Sequence, residues 1–324
     1  MSFDKLSAIV IGSINTDIVG LGFPGLLKPG EIGYGTKMKV GPGGKSRNIA
    51  QMLATLLGSA RVAMIGRTTQ DPFGLWRPPV DALIEAGVDC SGIRFVRFDK
   101  ESGWPGIALI PVASDGTQQI YVIEGVNAQF SEEDLEKSDH LFKAAARNRG
   151  LLALTMEIPI DTAIFGIKKA KAHGLKVMMD PGGTRQGLDI SALITSDIFL
   201  LKPNEQEASL LTGLEIVDRE SAVKAARQLV SMGPEHVLLT CGAHGALLAS
   251  KDGEVHIECP KLELADTKDA TGCGDQTMAT ICATLQRGKD IQTAAGLAVL
   301  SGTLQFYREG IVPVSEHELA AAAK

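Results

Sequence analysis

The chain has 324 residues, 44% of them hydrophobic, with a formal net charge of -6. That length supports a large core, and the acidic balance argues against a nucleic-acid or membrane-surface protein. No apolar run reaches 18 residues and the start Met1-Ser-Phe-Asp-Lys5 lacks a secretory core, so a cytoplasmic location is expected. Five cysteines (Cys90, Cys241, Cys259, Cys273, Cys282) form no Cys-x-x-Cys pair, which suits reduced thiols, and six scattered histidines show no zinc-ligand spacing.

Residues 7–13 read as a short buried strand that breaks at Gly12. Just beyond it, Asn15 and Asp17 are spaced by two and fall on the same side of an extended chain, an amide and a carboxylate suited to a polyhydroxylated ligand or to an ordinary polar loop. From Val19 to Gly43, glycines, prolines and alternating segments such as 33–40 predict twisted strands. Two glycine patterns here mislead. Gly20-Leu-Gly22-Phe-Pro-Gly25 fits G-x-G-x-x-G, but Pro24 and Pro29 deny it the helix of a dinucleotide fingerprint. Gly43-Gly-Lys-Ser46 looks like the end of a P-loop, yet Lys39 stands where the first glycine is needed.

Ile49, Met52, Leu53, Leu56 and Leu57 form one helical face that Gly58 ends. Gly43 and Gly44 at its entrance either let the chain approach a small ligand, with Asn48 one turn in, or make a tightly packed turn. A second β-rich stretch, 104–125, holds the turn Ser114-Asp115-Gly116. With residues 16–42 it forms either a small lid sheet or edge strands of a main sheet.

From Leu151 strands and helices alternate: strand 151–158, a helix to His173, strand 175–180, a helix, strand 198–202 and further helices, the pattern of a parallel sheet with crossovers. Further strands are expected at 237–240, 245–249 and 253–258. No repeat or linker appears, so residues 1–324 read as one α/β domain. Asn204-Glu-Gln-Glu207 follows a strand mouth, where an acid would hold a hydrated Mg²⁺ beside phosphates or the glutamates merely start a helix. Thr240-Cys-Gly-Ala-His-Gly245 is a strand end whose glycines Gly242 and Gly245 admit a nucleotide closely.

The most informative stretch is Asp269-Ala-Thr-Gly-Cys-Gly-Asp275. Met278, Ile281, Cys282 and Leu285 continue from it at helical spacing to Arg287-Gly288, so the turn opens a helix. The free N–H groups of Gly272, Cys273 and Gly274 then face an anion such as a phosphate, with Asp275 placed to take a proton from a hydroxyl. Taken alone, the stretch also suits a plain Gly-rich turn before an acidic helix start.

The order of these signals resembles the PfkB family of carbohydrate kinases, in its ribokinase-like branch. The resemblance runs through Gly12 to Asp17, Lys28 to Glu31, Gly43 to Asn48, Ile65 to Arg67, Asp71 to Gly74, Gly87 to Asp89 and Gly125 to Ala128. It continues through Glu157, Asp180-Pro181, Pro203 to Glu207, Thr240 to Gly245 and Asp269 to Asp275. It implies a central, mostly parallel sheet flanked by helices, with a small β-sheet lid that pairs with the lid of a second subunit in a homodimer. It further implies an ATP- and Mg²⁺-dependent transfer of the γ-phosphate to the primary hydroxyl of a ribose-like sugar. Asp275 would be the base and Gly272, Cys273 and Gly274 the anion hole. Asn15, Asp17, Gly43, Gly44, Asn48 and Glu157 would bind the sugar. Asn204, Thr240, Gly242, Gly245 and Gly274 would lie along ATP, Asn204 and Glu207 would organise Mg²⁺ through water, and Asp269 and Thr271 match part of a monovalent cation (K⁺) site. Ser46-Arg47, Ala270, Cys273 and Gln276 depart from the usual ribokinase pattern. Arg47 to Ala50 and Leu201 to Asn204 are similar to pseudouridine kinases of the same family, so a nucleoside or pseudouridine kinase is the alternative, and a catalytically silent sugar or nucleotide sensor a further one.

Overall fold

The computed structural model describes residues 4–101, 103–262 and 268–323. Residues 1–3, part of the stretch from which no leader is expected, lie outside the described residues, as does 324. The first half of the chain forms β1 (Ala8–Ile11), β2 (Asn15–Phe23), β3 (Lys37–Gly43), α1 (Lys45–Leu57), β4 (Val62–Thr69), α2 (Arg77–Glu85), β5 (Asp89–Val96), β6 (Gly106–Ala113), β7 (Tyr121–Ile123), α3 (Glu132–Lys137) and α4 (Asp139–Arg147). Then come β8 (Leu151–Thr155), α5 (Ile160–Ala172), β9 (Lys176–Asp180), β10 (Ile198–Leu201), α6 (Glu205–Thr212), α7 (Arg219–Ser231), β11 (His236–Thr240), β12 (Ala246–Ser250) and β13 (Gly253–Ile257). Helices α8 (Cys273–Gln286), α9 (Ile291–Phe306) and α10 (Glu316–Ala322) close the chain.

Nine strands form one sheet in the order β13-β12-β11-β10-β9-β8-β1-β4-β5. All neighbours from β11 to β5 are parallel, and β12 and β13 are added antiparallel at one edge. Because side chains alternate along a strand, each central strand divides itself between two layers. Ile9, Ile11, Leu152, Leu154, Val177 and Met179 pack on one face, while Ala8, Val10, Leu151, Ala153 and Met178 pack on the other with α1, α8 and α9. Burying one such aliphatic side chain stabilises the fold by about 1.5–3 kcal/mol. Among the described residues no helix is long and apolar enough to cross a membrane.

A second sheet, ordered β3-β2-β6-β7, stands apart from the first and is the lid. Its β2 pairs antiparallel with β3 and parallel with β6, and β6 pairs antiparallel with β7 around the turn at Asp115 and Gly116. Strand structure in the 33–40 segment begins only at Lys37. The helix expected between 180 and 198 is absent, and only one turn of 3-10 helix, Ser191–Leu193, forms there. Gly182, Gly183 and Gly187 explain this: Gly183 and Gly187 have φ of 104° and 85°, and a Cβ on Gly183 would lie 2.7 Å from the Met156 backbone.

Candidate active site

The site is assembled where parallel strands end and two helices begin. Helix α1 starts at Gly44, whose φ is 90° and whose added Cβ would lie 2.9 Å from Ser13 O and 3.0 Å from Asn15 N. Only glycine lets the chain turn there. A Cβ on Gly43 would fall 1.8 Å from Asp17 Oδ1, so the bare backbone of β3 makes room for the carboxylate. Asn15 is buried, and its Oδ1 accepts from Asn127 Nδ2 at 2.7 Å. Asn127 also accepts from Ile14 N at 3.1 Å, fixing the first strand's exit.

Helix α8 starts at Gly272, with φ 75°, and places Asp275 in its first turn. Asp275 is 4% exposed and accepts from Asn48 Nδ2 at 2.7 Å, which joins the first turns of α1 and α8. Burial pushes its carboxyl pKa up, opposed chiefly by Lys45 and by the Asn48 hydrogen bond. Asp17 is raised to about 6, first by burial; Arg47 opposes this while Glu157 and Asp275 add to it. Glu157 is also raised by burial, although its Oε2 accepts from Ser13 Oγ and from Lys45 N.

Arg47 is fully buried and its donors point inward. Its Nε and one terminal nitrogen donate to Gly43 O and Pro42 O, both at 3.2 Å, and its remaining hydrogen bonds go to Gln51 Oε1 and Asn48 Oδ1. Burial lowers its pKa to about 10, against the pull of Asp17 and Asp275. The guanidinium therefore orients the amide that holds Asp275 and ties α1 to the end of β3. Ser46, the other departure in this motif, bonds Ile11 O and Thr155 Oγ1, both at 2.9 Å.

Three charged groups given no role by sequence reasoning stand in the same place. Lys202 Nζ lies 2.8 Å from Asp180 Oδ2, with both side chains almost wholly buried. Lys45 has its pKa raised first by Asp275, against burial and with help from Asp180. Burial pushes the Asp180 carboxyl up, but Lys202 and Lys45 outweigh it and the pKa falls below the usual range. Two local signals point to these lysines. Lys45 opens a helix, the end where a cation is disfavoured, and Lys202 follows a wholly apolar strand at its carboxyl end.

Asn204 and Glu207 cap α6: Asn204 N donates to Glu207 Oε2 at 2.9 Å and Glu207 N to Asn204 Oδ1 at 2.8 Å. Burial and then the charge of Asp180 push the Glu207 pKa up, against the pull of Lys202 and Lys45. The Asn204 and Glu207 oxygens suit the hard, oxygen-seeking Mg²⁺. Thr240 lies beside Asn204 and donates its N–H to Pro203 O at 2.9 Å. Gly242 faces open space, whereas a Cβ on Gly245 would lie 2.0 Å from Ile257 O, so Gly245 is required by strand packing.

The turn before α8 is closely tied. Asp269 Oδ1 accepts from Thr271 N at 2.9 Å and Oδ2 from Gly310 N at 2.8 Å. Burial raises the Asp269 pKa, but these hydrogen bonds prevail and it is lowered. Gln305 Nε2 donates to Thr271 O and Gly310 O, while its buried Oε1 has no partner, an oxygen-rich corner that fits a weakly held monovalent cation. Cys273 N donates to Ala270 O at a long 3.3 Å, and its Sγ points back to Asp269 O. Its thiol is pushed up to about 12 by burial and then by Asp269 and Asp275, so the helix terminus does not make it a thiolate. Gln276 is buried and accepts from Val314 N at 3.0 Å, anchoring the segment after α9. Trp104 packs on Phe73 and Phe98.

A buried carboxylate in the first turn of a helix, with Lys45 and Lys202 near it, is the equipment of a phosphotransferase acting on a sugar alcohol group, and the relatives of this chain support that class. The chain belongs to the pfkB family of carbohydrate kinases, whose profile matches residues 5–316. It is 30% identical over 301 residues to the ribokinase of Haemophilus influenzae, covering 93% of this chain and 92% of that one. It is 28% identical over 301 residues to the deoxyribokinase of Salmonella typhi, with the same coverage of both chains. The structure of Arabidopsis thaliana ribokinase complexed with ribose and ATP superposes with a TM-score of 0.83 at 25% identity, covering 98% of this chain and 99% of that one. The chain is thus a ribokinase-like protein in sequence and in fold.

Proposed function

We propose that this protein transfers the γ-phosphoryl group of ATP to the primary hydroxyl of a ribose-like sugar. The observation that carries this reading is Asp275, buried, oriented by Asn48 and seated in the first turn of α8. Asp275 would take the hydroxyl proton, while the N–H groups of Gly272 and Gly274, with Cys273 N less favourably turned, would face the phosphoryl oxygens. Asn15, Asp17, Glu157 and the Gly43-Gly44 backbone would hold the sugar hydroxyls, and Thr240, Gly242 and Gly245 would border the nucleotide. Mg²⁺, held through water by Asn204 and Glu207, supplies charge neutralisation of the phosphates when bound. A monovalent cation such as K⁺ would sit by Asp269 and Thr271.

We further propose a cytoplasmic homodimer formed through the lid. Met38, Val40, Leu109, Tyr121 and Ile123 share one face of that sheet by register and are 38–70% exposed, an apolar surface that a second copy would cover.

ADP release with ATP and Mg²⁺, with and without K⁺, against ribose, deoxyribose, adenosine and pseudouridine tests the substrate. Turnover on ribose or deoxyribose supports the reading. Preference for adenosine or pseudouridine would replace it with a nucleoside kinase, and sugar and ATP binding without ADP release would make the protein a sensor.

A further inference from the structure

Arg47 is fully buried in the first turn of α1, yet its described hydrogen bonds all go to neutral oxygens: Gly43 O and Pro42 O at the end of β3, Gln51 Oε1 one turn on, and Asn48 Oδ1. A strut between α1 and β3 needs no charge, and burying a guanidinium costs more desolvation than burying an apolar side chain of that size. The bond to Asn48 gives the charge a use. An Asn amide carries an acceptor on one side and donors on the other, and its two orientations have nearly the same shape. A guanidinium only donates, so it takes Oδ1 and turns Nδ2 away from itself. Nδ2 then meets Asp275 Oδ2 at 2.7 Å. That contact suits an ionised carboxylate, whereas the reversed amide would set Oδ1 against Asp275 and suit only a carboxyl that keeps its proton. The other titratable and charged groups around Asp275 are Lys45 on α1, Asp17 on β2, Glu157 after β8, Asp180 and Lys202 at the ends of β9 and β10, and Cys273 on its own helix. Asn48 differs from all of them in that the form of Asp275 it favours depends on which way it is turned.

Resting on the kinase reading above, we propose that Arg47 is a positioning residue for the base: its donor-only guanidinium locks the Asn48 amide with Nδ2 toward Asp275 and so holds Asp275 as an ionised acceptor for the sugar hydroxyl proton. Buried as it is, Arg47 acts through Asn48 rather than on the substrate. In the transfer the hydroxyl proton passes to Asp275 as the sugar oxygen bonds phosphorus and the ADP oxygen leaves, while Arg47 and Asn48 keep their own protons. The same guanidinium holds Pro42 and Gly43, which pair with Thr16 and Asn15 of β2. The strand that carries Asn15 and Asp17 and the amide that orients Asp275 therefore share one anchor.

The test uses Arg47→Met, Arg47→Lys, Asn48→Ala and the double variant Arg47→Met/Asn48→Ala, with thermal melting to report folding. Arg47→Gln, which can donate or accept, guards against an Arg47→Met protein that does not fold and should shift in the same direction. At saturating ATP and sugar, kcat is followed from about pH 5 to about pH 9, where its acidic limb reports the base in the ternary complex. The Asp275 carboxyl is titrated by carbon NMR in the same proteins. Arg47→Met should lower kcat at neutral pH by about tenfold, change ATP and sugar affinities by less than about threefold, and move the acidic limb up by about one pH unit. Arg47→Lys, still a donor only, should keep the limb near its wild-type place even where it lowers the melting temperature. Added to Asn48→Ala, Arg47→Met should leave kcat and the limb within about twofold and a few tenths of a pH unit of the single variant. Wild-type kcat and limb in Arg47→Met, with only a lower melting temperature, would make Arg47 a strut and overturn the proposal. A limb shift that persists in the Asn48→Ala background would show Arg47 acting by charge alone and overturn it equally, as would an Arg47→Lys limb displaced as far as that of Arg47→Met. Failure of the sugar-kinase reading is seen separately, as absent turnover in the wild-type protein, and the NMR titration then still reads the Asp275 shift.

Discussion

Asp17 is the residue whose chemistry sets the clearest pH dependence. Its carboxyl is raised from 3.8 to about 6 because burial and the neighbouring acids outweigh Arg47. As a sugar-holding acceptor it works when ionised, so kcat/KM should fall as pH drops through about 6. The stability sign is opposite. Between 3.8 and about 6 the unfolded chain has lost this proton while the folded one keeps it, so Asp17's favourable contribution is present below 3.8 and is lost as pH rises through about 6. At pH 7.5 its ionisation destabilises the fold by about 2–3 kcal/mol. Asp17→Asn should therefore raise the melting temperature at pH 7.5, leave it nearly unchanged at pH 3.5 and raise KM for the sugar. Paired melts at the two pH values with sugar KM check this, and a lower melting temperature at pH 7.5 would contradict it.

Among the elements, α1 and α8 do most to build the site, and their starts are both glycines with positive φ. Gly44→Ala should place a Cβ against Ser13 O and Asn15 N in a disfavoured backbone region, costing about 1–3 kcal/mol or more. Denaturant unfolding should show this loss together with a higher sugar KM, and unchanged values would mean that the α1 entrance tolerates a side chain. These helix starts were legible because local chemistry specifies them: Gly43-Gly44 before an apolar period, and Asp269 to Asp275 before another. The segment 181–197 reads as helix in the sequence but is not one, because Gly183 answers to the Met156 backbone, a contact remote in sequence. Lys45, Asp180 and Lys202 escaped assignment for a related reason: their meaning is an encounter between β9, β10, α1 and α8 that no single motif contains. A glycine at 245 is needed for a second reason that lies outside its motif: a Cβ there would meet Ile257 O at the end of β13.

For the whole molecule, the sheet order places the site at the carboxyl ends of parallel strands and puts Asp17 on the lid strand β2. The alternation from Leu151 made the parallel sheet legible, whereas separation of the lid from the main sheet depended on pairings of β2 with both β3 and β6. If the exposed lid face is covered by a second copy, native mass in solution should be twice the chain mass of 34.2 kDa. Leu109→Asp should shift it to a monomer by placing a charge in the covered face; a wild-type monomer at micromolar concentration would contradict the lid dimer.

The central claim is that Asp275 is the base of a sugar kinase, and it is tested most directly by ADP release from wild type and Asp275→Asn with ribose or deoxyribose, alongside calorimetric binding of ATP and sugar to both. The account predicts that the variant binds both ligands within about threefold of wild type and loses about 100-fold or more in kcat, as removal of a general base does. Near-normal turnover by Asp275→Asn would contradict it.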